Sequence, residues 1–429
     1  MNNVPDRVFV LYDNKSPAMP CFRGRAWHLL KAGRAAVYRL VPFTIILKDR
    51  TSGDAQPVEL RLDPGSKTSG IAVVANDTVV FAANLQHRGQ AVKKALEQRR
   101  ALRRGRRARK TRYRAPRFDN RTRPENWLPP SLLSRVDNVV SWARRLAHLA
   151  PLTSIAVETV RFDTQQMQNP EISGVAYQQG TLAGYEMREY LLEKWNRTCA
   201  YCGAKNVPLQ IEHIQARANG GSDRVANLTL ACEPCNVRKG THDVAVFLAR
   251  KPNVLKKLLA QAKAPLKDAA AVNSTRKEIG RRLVALGLPT SFWSGGRTKM
   301  NRVAQGYHKD HWIDAACVGE NGAHVRIATT IAPLGIKALG RGSRLLCRPD
   351  RYGFPRLAAK SVKRIAGFQT GDLVRLAQPS GKYAGTHIGT VAVRARGDFD
   401  LRTAGAIITS AGRNFTLLQR TNGYAYAAA

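Results

Sequence analysis

A chain of 429 residues is too long for one ordinary core, and its 44% hydrophobic content can fill several. Lysine and arginine number 70 against 30 acidic residues, a formal charge of +40; so one-sided an excess points to a polyanionic partner, nucleic acid, over a merely basic surface. Seven cysteines, four of them in two Cys-x-x-Cys pairs, leave Cys21, Cys317 and Cys347 as an odd remainder, which argues against a secreted disulfide framework, and no apolar run approaches the about 20 residues of a membrane span.

Met1 to Val10 carries early charges and no apolar centre, so no signal peptide is expected, and a reducing, intracellular setting is. Val8 to Tyr12 reads as a strand, Ser16 to Pro20 as a turn because two prolines forbid a helix, Arg23 to Arg34 as a small helix and Val41 to Leu47 as a strand. Residues 1–56 are thus a small α+β module. In residues 57–87 the alternation of Val58 to Asp63 predicts a strand ending in a carboxylate. A Gly/Ser turn follows, then strands at Ile71 to Val74 and Val79 to Ala83. Asp63 either holds a metal at the sheet edge or caps a turn.

Residues 88–124 hold the most basic run. Arg88 to Arg117 contains 14 Lys/Arg and one acid, Glu97. A helix basic all round has no face to bury against protein, so it is read as a structured nucleic-acid-binding helix; the alternative is a disordered basic tail. Arg99, Arg100, Arg103, Arg104, Arg106, Arg107, Arg109 and Arg112 are the expected contacts, since the guanidinium fork grips phosphate in two places. In residues 125–192, Leu132 to Ala150 is an amphipathic core helix, Ser154 to Glu158 a short strand again ending in a carboxylate, and Gly180 to Trp195 a helix.

Residues 193–250 carry the densest motif. Cys199-Ala200-Tyr201-Cys202 and Cys232-Glu233-Pro234-Cys235 supply four thiolates, which close a tetrahedral structural Zn²⁺ site. The 29 residues between the two pairs hold Glu212-His213 and then Asn227, and Asn236 abuts the second pair. A neutral imidazole can deprotonate water while a neighbouring carboxylate and an amide oxygen hold a hard cation on phosphate. A plain zinc ribbon with an incidental histidine is the alternative, but a ribbon has no use for the Glu-His-Asn set. The order His213, Asn227, Asn236 resembles the HNH nuclease motif, a ββα-metal unit.

After the second cysteine pair a helix is expected over Val244 to Lys263, and in residues 251–345 another over Asn273 to Leu286, with Asn273 or Ser274 as N-cap. Ser294 to Lys299 reads as a Gly-rich basic loop; its spacing is not that of a P-loop, and Arg297 and Lys299 are candidate nucleic-acid contacts. His311 and Asp314 share a helical face, with His308 expected one turn earlier. Residues 346–429 contain recurrent short strands, at Leu373 to Leu376, Gly389 to Val393, Ala406 to Thr409 and Phe415 to Leu418, which suggest a small β-barrel.

Asp63, Glu158 and Asp314, if they converge, would repel one another unless divalent cations occupied the site; a pair about 3.5–4 Å apart is the usual arrangement for phosphodiester hydrolysis. Two acid-ended strands and a His-x-x-Asp helix resemble the RuvC nuclease and its RNase H-like fold. The layout as a whole resembles the IscB family of insertion-sequence-encoded RNA-guided nucleases, related to the ancestor of the CRISPR type II effector. Carrying that resemblance are Asp63 to Gly70, Arg103 to Arg107, Glu158-Thr159, the HNH insert, Gly295 to Lys299 and His311 to Cys317. It implies an α/β multidomain protein: a split RNase H-like core interrupted by an arginine-rich bridge helix and by the HNH domain, an opening Pro-Leu-Met-Pro module (here Pro17-Ala18-Met19-Pro20), and a C-terminal domain that reads a motif beside the target. It further implies Mg²⁺ or Mn²⁺ as cofactor, held by Glu212 and Asn236 in one site and by Asp63, Glu158 and Asp314 in the other. His213 is then the base acting on the guide-paired strand, Asn227 orients the loop or His213, and His311 is a base or phosphate contact for the displaced strand. The implied partners are a guide (omega) RNA and double-stranded target DNA, in a monomeric ribonucleoprotein acting in the bacterial cytoplasm at the nucleoid. Two other readings are a protein-only HNH endonuclease, which does not need 14 cations on one helix, and a silent nucleic-acid binder, which would not keep the acids.

Overall fold

The computed structural model of the protein describes residues 6–108, 127–159, 188, 190–192, 194–263, 267–340, 350–352, 354–356, 358, 362–394, 397–403 and 405–428. It falls into two compact units, one of residues 1–158, 279–293 and 297–429, the other of residues 159–278 and 294–296. Among the described residues no helix is long and apolar enough to cross a membrane.

The chain opens with β1 (Arg7–Leu11), β2 (Pro17–Phe22), α1 (Arg23–Lys31), β3 (Ala35–Arg39) and β4 (Thr44–Leu47), forming a sheet in the order β2-β1-β4-β3 over Val8, Val10, Ala26, Leu29 and Ile45. The Pro17 to Pro20 segment, expected to be a turn, is an edge strand instead. At a sheet edge a proline's missing N–H forfeits no ladder bond, and the pairing with β1 is irregular between Val8 and Val10.

Three antiparallel strands follow: β5 (Val58–Asp63), β6 (Thr68–Ala75) and β7 (Thr78–Gln86). Helix α2 (Gly89–Ala108) buries none of its residues, in keeping with its basic circumference. The rest of the basic run, Arg109 and Arg112 included, lies outside the described residues. Helix α3 (Pro130–Ala147) starts on a proline and buries Val136, Val139, Val140, Trp142, Ala143 and Leu146. Strand β8 (Ser154–Glu158) comes next. Of the helix expected from Gly180 to Trp195, residues 180–187, 189 and 193 lie outside the described set.

The second unit holds the hairpin β9 (Leu209–His213) and β10 (Leu228–Cys232), then α4 (Glu233–Lys239), α5 (Val244–Phe247) and α6 (Pro252–Ala262). The single helix expected over Val244 to Lys263 is broken, because Pro252 opens a new helix where its ring would interrupt an old one. Helix α7 (Lys267–Val284) follows.

Returning to the first unit, the chain forms β11 (Thr290–Trp293), α8 (Gly295–Ala304), α9 (His311–Ala316) and β12 (Leu334–Ala338), then β13 (Arg364–Ile365), β14 (Phe368–Gln369), β15 (Leu373–Gln378), β16 (Gly385–Val393), β17 (Asp398–Arg402), β18 (Ile407–Ala411), β19 (Phe415–Gln419) and β20 (Tyr424–Ala428). The Ser294 to Lys299 segment, expected as a loop, supplies the first turn of α8. Strands β15 to β19 make an antiparallel sheet in the order β18-β17-β16-β15-β19 over Val374, Leu376, Val391, Phe399 and Phe415. Among the described residues β18 and β19 do not pair, so backbone bonds do not close the expected barrel. The last strand, β20, leaves that sheet and pairs with β12.

The main sheet therefore runs β11-β8-β5-β6-β7-β12-β20, with β5, β8 and β11 parallel. It is covered on both faces, and strand alternation sorts the residues between them. Leu60, Leu62, Ile71, Val73, Ile155 and Val157 pack on one face with α3 residues Val139, Trp142 and Leu146. Ala72 and Val74 pack on the other with Trp312, Ile313, Ala315 and Ala316 of α9. Arg61, 1% exposed, reaches under that second helix and donates Nη1 to Ala316 O at 2.7 Å.

Gly70 sets how closely α9 can lie. A Cβ at this position would stand 1.8 Å from His311 O, a backbone atom that cannot turn aside. Gly70→Ala is expected to lower stability by about 1–3 kcal/mol, as overpacked sites do, and to lower the thermal transition in a denaturation scan; an unchanged transition would contradict this packing.

Candidate active sites

In the second unit Cys199, Cys202, Cys232 and Cys235 have all four sulfurs within 4.8 Å of one another, and Cys202 Sγ stands 3.7 Å from Cys232 Sγ. A tetrahedron with Zn–S arms of about 2.3 Å has edges of about 3.8 Å, so the donor set and its spacing fit structural zinc with no position left for a reactant. The first pair is shaped by a turn in which Gly203 N donates to Cys199 O at 2.8 Å, with Gly203 at φ +79°. Three of the cysteines belong to this unit's core, beside Tyr190, Leu209 and Leu230.

The hairpin and α4 form a ββα unit around Glu212 and His213 at the end of β9. Glu212 Oε1 accepts from Lys239 Nζ at 2.7 Å; Lys239 is fully buried and also donates to His213 O at 2.7 Å, clamping the end of α4 to the end of β9. His213 Nε2 stands 2.6 Å from Asp223 Oδ1, and Arg217 donates to both Asp223 oxygens at 2.9 and 2.7 Å. The bonds from His213 and Arg217 hold the Asp223 carboxyl below its ordinary range. Asn227 ties the intervening loop: Nδ2 donates to Ser222 O and Gln215 O, and Oδ1 accepts from Gln215 N. Asn236 donates Nδ2 to Gln210 Oε1 at 2.6 Å. Sequence reasoning missed Asp223, Arg217 and Lys239. The first two sit in a Gly/Asn-rich loop without periodicity, and nothing local marks Lys239 as buried.

In the first unit β5 and β8 are parallel neighbours, with Leu62 opposite Val157, so the next residues, Asp63 and Glu158, leave the sheet side by side. Both belong to the alternation that faces α9. The N-terminus of that helix is fixed by Asp310, whose carboxylate accepts from His311 N at 2.6 Å, and by Asn84 of β7, which accepts from Trp312 N at 3.1 Å and donates to Asp310 Oδ1 at 3.0 Å. His311 Nδ1 then lies 3.6 Å from Asp63 Oδ2, while Asp314 pairs with Arg302 Nε at 2.7 Å and Lys309 Nζ at 3.4 Å. Because Asp310 caps the helix, His308 lies outside it and not on the expected helical face.

Burial, then the Asp63 carboxylate, push Glu158 well above the ordinary carboxyl range; Asp314 adds to the rise and a bond from Thr298 of α8 opposes it. Asp314 is raised by burial and by Asp63, against the pull of Lys309 and Arg302. Such mutual repulsion is what bound cations relieve, so the three acids fit divalent metal. Among the described residues only the cysteines have all their ligand atoms within 4.8 Å, so the acids are spread more widely than a cage around one ion. Thr298, 2% exposed, was not foreseen, nor were Asn84, Arg302 and Lys309. Arg297 is exposed and Lys299 half-buried; on α2, Arg99, Arg100, Arg103, Arg104 and Arg107 are exposed and Arg106 half-buried.

Two outcomes follow from these geometries. Metal analysis is expected to find one zinc per chain, and Cys232→Ser or exhaustive chelation to make residues 199–235 protease-sensitive; equal resistance without zinc would contradict a structural role. For Glu158, the folded-state pKa is above the unfolded one, so its stabilisation is full below about pH 4.3 and is lost as pH rises through the raised value. In metal-free buffer Glu158→Gln should therefore gain stability relative to the parent as pH rises from 4 to 8, read by parallel denaturant titrations; a constant difference would contradict the raised carboxyl.

Residues 8–180 match the family described as RRXRR protein, and residues 199–242 match HNH endonuclease. No curated protein matches the chain. Among solved structures it is similar to the type II-C Cas9 enzyme from Actinomyces naeslundii, at 17% identity and a TM-score of 0.18, covering 49% of this chain and 33% of that one. It is also similar to Streptococcus thermophilus Cas9 in complex with the GGAA PAM, at 12% identity and a TM-score of 0.22, covering 62% and 32%. The chain spans about a third of the length of these structures. The RRXRR match precedes the HNH endonuclease match along the chain, and the latter covers the four cysteines, Glu212, His213, Asn227 and Asn236.

Proposed function

We propose that this protein is an IscB-like, RNA-guided endonuclease that cuts both strands of DNA at two different sites. The observation that carries the reading is the pairing of Asp63 and Glu158 on adjacent parallel strands beneath His311 and Asp314, in the unit that does not contain the HNH domain. A protein with only an HNH activity has no use for a second, mutually repelling set of acids.

At the HNH site His213 acts as the base toward water attacking the guide-paired strand. With Nε2 held by Asp223, the proton is taken at Nδ1, and the carboxylate steadies the imidazolium that forms. Glu212 and Asn236 would hold a divalent cation there, with Lys239 keeping Glu212 oriented. At the other site Asp63, Glu158 and Asp314 would hold cations at the displaced strand, with His311 beside Asp63 to contact phosphate or move a proton. When bound, the cations stabilise charge on the attacking and leaving oxygens. The exposed arginines of α2 grip guide phosphates, so base pairing supplies sequence selection while the protein reads backbone, and the β15–β19 sheet reads a flanking motif.

The test uses strand-labelled duplex and whatever RNA stays with the purified protein. The protein is expected to retain one defined RNA species. With that RNA, Asp63→Ala should nick only the guide-paired strand, and His213→Ala only the other, each lost cut falling by about 10²–10⁴-fold. A random RNA mixture would overturn guidance, and double-strand cutting by Asp63→Ala would remove Asp63 from the site.

A further inference from the structure

Two cations stand against Asp314 in the acid cluster of the first unit, and they are held in different ways. Arg302 of α8 is 9% exposed and pinned twice: its Nε pairs with Asp314 Oδ1 at 2.7 Å, and its Nη1 donates to Tyr307 O at 3.1 Å. Lys309 belongs to neither helix. It lies in the link between α8 and α9, just before the cap Asp310, and its Nζ stands 3.4 Å from Asp314 Oδ2. Its side chain is 27% exposed, so a flexible four-carbon stem has a route to solvent that the planar fork of Arg302 lacks. Burial, and then Asp63 and Asp314, raise the Glu158 carboxyl, and Lys309 is among the groups that draw it down, so the same ammonium acts on two of the three acids.

The two oxygens of Asp314 are therefore unequal. Oδ1 is committed to Arg302, which leaves Oδ2 as the oxygen a metal ion can take. An ion of magnesium's size binds carboxylate oxygen at about 2.0–2.1 Å, which would set it and the ammonium no more than about 5.5 Å apart around one oxygen. Like charges that close in a buried site disfavour each other, so one of them gives way.

We propose that Lys309 is a displaceable counter-cation: it neutralises Asp314 until a divalent ion takes Oδ2 and then swings out toward solvent, so that loading the cluster exchanges one cation for another. The proposal rests on the reading of Asp63, Glu158 and Asp314 as a metal centre. It adds a residue that steadies the acids before loading and weakens the affinity with which they load.

The full chain, freed of co-purifying nucleic acid in high salt, is titrated with Mn²⁺, and the bound ion is followed by electron paramagnetic resonance. The part of the binding that Asp63→Ala abolishes belongs to this cluster and not to the HNH domain. Lys309→Met is expected to bind that manganese about tenfold more tightly, because a unit charge beside the ion is gone, while its metal-free thermal transition falls below the parent's. Lys309→Arg keeps the charge and should stay close to the parent in both. The swing itself is read on the parent chain by reductive methylation and peptide mass spectrometry. Lys309 should react several-fold faster at saturating manganese, and the metal should make no difference in Asp63→Ala. Asp63-dependent binding with unchanged Lys309 reactivity, or with unchanged affinity in Lys309→Met, would overturn the exchange and leave the metal centre standing. The lack of any Asp63-dependent binding would remove the metal centre and the exchange with it.

Discussion

Three carboxylates held on one face of a sheet repel one another, and much of the first unit arranges that repulsion. Asp63 and Glu158 share a face because β5 and β8 are adjacent, parallel and in register, and Asp314 is brought over them because α9 lies unusually close to β6. The closeness requires Gly70, and the helix start is held by Asn84 and Asp310. Burial and proximity then raise Glu158 and Asp314 together. An assembly of this kind is costly until positive charge enters it. Arg302 and Lys309 already supply some at Asp314, and divalent cations would supply the rest.

The second unit solves a different problem. A short hairpin and one short helix cannot bury enough apolar surface to hold His213 still, and the cysteine cluster supplies what the small core lacks. Within it His213 is fixed by Asp223, and Glu212 by Lys239, so the two candidate side chains are oriented by partners from opposite ends of the motif. The pairs differ in kind. Lys239 is buried and its loss would strand a carboxylate, whereas Asp223 and Arg217 stand in solvent, where an ion pair contributes little to stability and acts mainly on geometry.

What the sequence displayed depended on whether the signal was local. Strands β5 and β8 lie where alternation places them, ending on Asp63 and Glu158, and the three-residue spacing put His311 and Asp314 on one helix. The cysteine pairs could be read from spacing alone. Gly70, Asn84, Thr298 and Lys239 could not, because each matters through a contact with an element distant in sequence. Local rules also misled: two prolines suggested a turn where an edge strand tolerates them, and Gly295 and Gly296 suggested a loop where they open a helix. The pairing of β20 with β12 had no signature within its own five residues, since a terminal strand's partner is set by which sheet edge is open.

Whether the acids of the first unit are a metal centre is decided most directly by anomalous diffraction from crystals grown with Mn²⁺. Density is expected between Asp63, Glu158 and Asp314, and is expected to vanish with Asp63→Ala while zinc at the four cysteines persists. Ordered crystals with no manganese signal beside these three carboxylates would contradict the two-site nuclease.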